Sequence, residues 1–175
     1  LESAEPGFVT CGRRAELSEK HTNLLIDASK KSRFSHQYFW RMGVDYVWQS
    51  MKGKSTKYSG KHIKNGLCLP WLKYLMGLSK KTRSIIGCNF SMYKSDLEKI
   101  NGFDMNYEAP AVGEDTDIEY RLHGVGVRTK AIKFGAALLH MYHDELSRPS
   151  ENKALFKKTV ENKTYWAKIG LDRLK

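Results

Sequence analysis

Cysteine is scarce in this chain. Cys11, Cys68 and Cys88 are an odd number and lie far apart, with no Cys-x-x-Cys pair. That pattern excludes a disulfide framework and a cysteine-rich zinc site, and a reduced, cytosolic setting fits it best. No apolar run approaches the roughly 20 residues of a membrane-spanning helix. Residues 1–7 have neither a basic head nor an apolar stretch, so they do not read as a signal peptide. They also lack an initiator Met and read as the middle of a longer chain. Acidic residues are the other shortage. Between Lys30 and Arg83, Asp45 is the sole carboxylate.

What is present is a globular composition: 175 residues, 41% hydrophobic and 28% charged. That is enough chain for one domain with a buried core, and disorder as the main state is excluded. Thirty Lys and Arg against 19 Asp and Glu give a net charge of +11, a field that attracts anions without choosing among them.

Phe8-Val9-Thr10-Cys11-Gly12 predicts a strand, with helix from about Glu16 to Ile26. Pro70 could open a short helix with Trp71, Leu72, Leu75, Met76 and Leu78 on one side. Residues 84–93 read as a strand. Ser95-Asp96-Leu97-Glu98 has the form of a capping box, for a helix that Asn101-Gly102 ends with left-handed dihedrals. Thr116-Asp117-Ile118-Glu119 is a second such box, followed by Ile118, Leu122 and Val125 at helical spacing. Strands are expected over 127–134 and 136–142, and a last helix from Ser150 to about Ile169.

Three local features bear on chemistry. Gly113-Glu114-Asp115-Thr116-Asp117 gathers carboxylates at a helix start. Taken alone such a cluster is more often structural, because the helix dipole favours acids there. Asn101-Gly102-Phe103-Asp104 is a turn that needs no function. His140-Met141-Tyr142-His143 places two potential metal ligands three apart. On a strand they would point to opposite faces, so without a bend only one would reach a given metal.

The order of these features carries more than each one. Ile86-Gly87-Cys88-Asn89, Asn101-Gly102-Phe103-Asp104, Gly113-Glu114-Asp115-Thr116-Asp117 and Arg121-Leu122 follow one another at short intervals. That set resembles the acceptor-side region of family-2 glycosyltransferases and of the β-galactosyltransferase group. The resemblance is closest from Ile85 to His143 and extends weakly to 8–14 and 147–152. It implies an α/β fold of GT-A type, a mixed sheet with flanking helices, of which this chain holds the carboxyl-terminal part. It also implies inverting transfer from a nucleotide-sugar donor to a glycan or lipid-linked acceptor. Asp115 would be the general base and Glu114 would hold the acceptor sugar. A carboxylate within hydrogen-bond reach can take the proton that the acceptor hydroxyl loses as it attacks. Asn89, Gly113, Asp117, Asp104 and Arg121 would contact substrate. The diphosphate leaving group calls for Mn²⁺ or Mg²⁺. His143 matches the family's histidine ligand, and His140 stands where the galactosyltransferases have a methionine ligand.

The sequence also departs from the family. Its Asp-x-Asp motif and nucleotide-binding half are expected just before residue 1. Asp115-Thr116-Asp117 has the letters of that motif, but a poor strand precedes it and a helix follows. The tryptophan that often precedes Gly-Glu-Asp is replaced by Glu108-Ala109-Pro110-Ala111. On this reading 1–29 is core strand and helix, 30–83 a basic aromatic insertion, 84–143 the acceptor-side core and 144–175 a terminal helix. The insertion reads first as a solvated basic surface over an aromatic face. Peripheral docking on an acidic membrane, at the inner face, ranks second, and nucleic acid ranks last. The rival function is a non-catalytic basic module that binds acidic membrane or nucleic acid.

Overall fold

The structure, a computed structural model, describes residues 4–30, 44, 84–107, 113–132, 135–144 and 150–174. Apart from Lys30 and Val44, the basic segment 30–83 lies outside the described residues, and with it the expected helix after Pro70.

The architecture is mixed α/β. Strand β1 (Phe8–Cys11) is the middle of a three-stranded sheet. On one side it pairs antiparallel with β3 (Phe90–Ser91), and on the other parallel with β4 (Arg128–Ala131). The chain then leaves this sheet at Gly12. Strand β2 (Arg13–Glu16) pairs parallel with β5 (Ala137–His140) in a second, two-stranded sheet. Gly12 permits the switch because any Cβ there would overlap the Asn89 side-chain amide. Helix α1 spans Glu19–Lys30, α2 Lys94–Glu98, α3 Glu114–Gly124 and α4 Ser150–Glu161. Among the described residues, no helix is long and apolar enough to cross a membrane.

Helix α3 supplies the other wall of the core. Its buried residues Asp117, Ile118, Arg121 and Leu122 recur at three- and four-residue spacing and so form one stripe. Ile118 and Leu122 meet Val9 and Cys11 of β1, and Ile85, Ile100 and Val127 close the cluster. Each such aliphatic side chain, fully buried, stabilises the fold by about 1.5–3 kcal/mol. The helix stops at Gly124, over which the Tyr165 ring lies too close for any Cβ. Tyr120 packs on Tyr165 and, edge to face, on Phe156 of α4, with centroids 5.7 and 6.0 Å apart. These rings fix the carboxyl-terminal part against α3.

Several sequence expectations need correction. The expected strand over 84–93 reduces to Phe90–Ser91, because Ile86 and Asn89 close a turn through the Asn89 N–H. Neither capping box forms. Tyr93 precedes α2 without a side-chain cap, and Ser95 lies inside the helix. Helix α3 starts two residues before Thr116, with Gly113 at φ 126° as its cap. Glu119 does not return to its own helix start; its Oε2 accepts the Ile85 N–H at 2.8 Å. The last helix ends at Glu161, well before Ile169, where Lys163 turns left-handed at φ 49°. Asn101 and Gly102, at φ 62° and 76°, do end α2 as expected, and the Gly102 N–H reaches the Leu97 carbonyl.

Candidate functional site

The first turn of α3 carries the acidic cluster. Its three acidic residues are sorted by depth. Asp117 is 1% exposed and Arg121, one turn on, is equally buried. Arg121 Nε donates to Asp117 Oδ2 at 2.7 Å, and Arg121 Nη1 donates to the carbonyls of Ile100 and Gly102 at 2.9 and 2.8 Å. Tyr107 donates its hydroxyl to Asp117 Oδ1 at 3.1 Å. Burial raises the Asp117 carboxyl above its ordinary value, against the pull of Arg121. Burial and the Asp117 charge raise the Tyr107 hydroxyl far above its usual range, so it stays protonated and donates. Asp117 and Arg121, expected to contact substrate, form an interior ion pair that ties α3 to the Asn101-Gly102 turn.

Gly113 is also buried, and a Cβ there would lie 2.6 Å from the Tyr107 ring. The glycine before Glu114 is therefore required by packing as well as by its positive φ. Asp104 accepts the Asn106 N–H at 3.0 Å and its side-chain amide at 2.6 Å, and Lys168 N–H at 3.4 Å. Asn89 donates its amide to the Arg13 carbonyl at 2.8 Å. Asp104 and Asn89, like Gly113, are engaged in local contacts.

Glu114 and Asp115 are what the cluster presents outward, both half-buried. Asp115 Oδ2 accepts the Gly87 N–H at 3.4 Å, and Oδ1 accepts the Thr116 N–H at 2.8 Å. Glu114 Oε2 is buried and has no hydrogen-bond partner among the described residues. Such an oxygen is costly until a donor reaches it. Sequence reasoning missed the partners. Tyr107 carries no motif signal, the capping-box pattern assigns Glu119 a local partner instead of Ile85, and Gly87 falls in the expected strand 84–93 whereas it lies in the loop facing Asp115.

The two histidines converge, contrary to the opposite-face expectation. β5 ends at His140, and 141–144 follow without regular structure, so the rings come within 5.0 Å of each other. His140 is half-buried beside Glu16, its partner across the β2–β5 ladder. Burial, then the Arg14 and His143 charges, depress its pKa below the ordinary value, with Glu16 opposing; the neutral form that ligates metal is favoured. His143 is exposed, and its Nδ1 lies 2.8 Å from the Asp144 carbonyl. As a donor set this is thin. Mn²⁺ and Mg²⁺ prefer about six ligands, mainly oxygen. No group of three or more His, Cys, Asp or Glu side chains suited to a metal ion occurs among the described residues. The pair does not hold such an ion by itself.

A groove of about 940 Å³ lies on the face of β1 opposite Val9 and Cys11. Phe8, Thr10 and Gly12 line it together with Asn89 to Lys94. Asp115 and Glu114 do not line it, so the groove and the acidic helix start are separate features; Asn89 lines the groove and nearby Gly87 bonds Asp115.

Residues 74–144 match a family model described as the N-terminal domain of galactosyltransferase. No curated protein and no solved structure matches the chain. The matched stretch contains the whole of Ile85 to His143, on which the motif resemblance rests. It supports a galactosyltransferase-like glycosyltransferase domain, and with it a nucleotide-sugar donor and an acceptor in general terms.

Proposed function

We propose that the chain is the acceptor-side part of an inverting glycosyltransferase of GT-A type, and that Asp115 is its general base. One observation carries the assignment. Of the carboxylates at the start of α3, Asp117 is consumed by Arg121 in the interior, whereas Asp115 stays half-exposed inside the family-matched stretch. A carboxylate so placed can accept the proton of an attacking sugar hydroxyl. Glu114 would hold a second acceptor hydroxyl, which would satisfy its buried Oε2. The acceptor is a glycan or lipid-linked sugar, and the donor phosphates bind largely to residues outside 1–175. A divalent cation would neutralise the diphosphate leaving group. His143, with His140, would contribute to it alongside oxygen ligands from elsewhere. The proposed compartment is the cytoplasm, which the three scattered cysteines favour; peripheral docking on an acidic membrane face is the second-ranked reading of the basic segment. The rival reading, a non-catalytic basic module, gains no support from the family match.

The test is Asp115→Asn in the full-length protein. Transfer should fall by about 10²–10⁴-fold, the range of general-base catalysis. Donor binding, followed by calorimetry, should stay within twofold of wild type. Turnover close to wild type would remove Asp115 from the role.

A further inference from the structure

The Asn101-Gly102 turn is bound from two sides. From inside, Arg121 Nη1 donates to the Ile100 and Gly102 carbonyls. From outside, the segment 167–172 lies along it. Ala167 N–H donates to the Ile100 carbonyl and Leu171 N–H to the Asn101 carbonyl, both at 2.9 Å. The buried Asn101 side chain completes the clasp. It donates to the Ala167 carbonyl at 2.9 Å and to Asp172 Oδ1 at 2.7 Å, and accepts the Asp172 N–H at 2.9 Å. Gly102 and Gly170 have no room for a Cβ: Leu171 crowds the first and the Asn101 carbonyl the second. The contact is therefore close-packed as well as hydrogen-bonded.

We infer that this carboxyl-terminal clasp sets the position of Asp115, with Asn101 as the positioning residue. The path is contiguous. The clasp fixes the Ile100 and Gly102 carbonyls, those carbonyls aim Arg121, and Arg121 grips Asp117. Asp117 also holds Tyr107, whose ring covers Gly113 at the helix start. Asp115 is one residue from Glu114, where α3 begins, so a shift of that turn moves its carboxylate. The inference rests on the reading of Asp115 as the base, since only then does its position govern turnover. A displaced catalytic group costs rate before it costs donor affinity.

The test is Asn101→Gly in the full-length protein, because glycine keeps the left-handed backbone and removes only the side-chain bonds. Hydrogen exchange is read first. Amides 117–121 should exchange faster by on the order of tenfold, the equivalent of losing one hydrogen bond, along with 167–172. Acceleration confined to 167–172 would overturn the coupling. Kinetics is read second, with the best donor from a panel of UDP- and GDP-hexoses plus Mn²⁺. The expectation is kcat lowered about tenfold with donor KM within twofold; unchanged kcat with raised KM would overturn the positioning role. If Asn101→Gly fails to fold, Asp172→Ala removes one exposed partner and should shift both readouts the same way by less. The two hypotheses separate cleanly. An active Asp115→Asn enzyme would sink the base assignment, while exchange at 117–121 would still decide the coupling.

Discussion

At the residue scale, the acidic helix start divides by burial. Asp115 and Asp117 are two apart and chemically identical, yet one is half-exposed and the other is sealed beneath Tyr107 and Arg121. A buried ion pair is weak evidence of net stabilisation, but removing one member leaves an uncompensated charge. Arg121→Met should therefore destabilise the fold by about 3–5 kcal/mol, read from urea unfolding. Adding Asp117→Asn to that variant should recover part of the loss, since the buried charge disappears. A loss under about 1 kcal/mol would mean that the pair is solvated, as surface pairs are.

At the element scale, the ends of elements place the candidate groups. Helix α3 begins at Glu114 because Gly113 alone fits under Tyr107 at φ 126°. β5 ends at His140, and the irregular chain after it lets His143 swing back to within 5.0 Å. Had the strand continued, the two rings would have pointed apart. If the pair completes a cation site with ligands from elsewhere, His143→Ala should weaken Mn²⁺-dependent donor binding by about tenfold, the usual cost of losing one contributor at a metal site. Equal Mn²⁺ titrations for variant and wild type would remove His143 from that site.

At the scale of the whole molecule, long-range polar ties join distant parts of the sequence. Asp96 is 1% exposed, and its Oδ2 accepts the Gly7 N–H at 2.8 Å across 89 positions. Its Oδ1 meets Lys99 Nζ at 2.7 Å. Burial by itself would raise this carboxyl, but Lys99 and the Gly7 N–H together hold it below its ordinary value. The sign follows from linkage. The tie stabilises fully above the unfolded value of about 3.9 and is lost as pH falls through the lower folded value. Acid titration of stability should therefore show a loss below about pH 4. Asp96→Asn should flatten that limb while lowering stability at neutral pH by about 1.5–3 kcal/mol. An unchanged acid limb would mean that the tie does not form.

The sequence by itself determined the local periodic features. Phe8 to Cys11 is β-prone and became the central strand; Ile118 and Leu122 at helical spacing became the core face of α3; Asn101-Gly102 ended α2. Each depends on neighbours within a few residues, where side-chain shape and dihedral preference act directly. The motif order, with its resemblance to glycosyltransferases, was legible for the same reason. Only the tertiary structure decided which members of Gly113-Glu114-Asp115-Thr116-Asp117 face outward. That choice depends on Tyr107, Arg121 and the Gly87 loop, and burial is a property of what packs against a residue. The clasp of Asn101 by residues 167–172 was equally hidden, because it joins positions 66 to 71 apart with no periodic signal between them. The second capping box failed for a related reason: Glu119 reaches Ile85, a tertiary bond that replaces the local one, and the Tyr107 ring packs on Gly113 at the helix start.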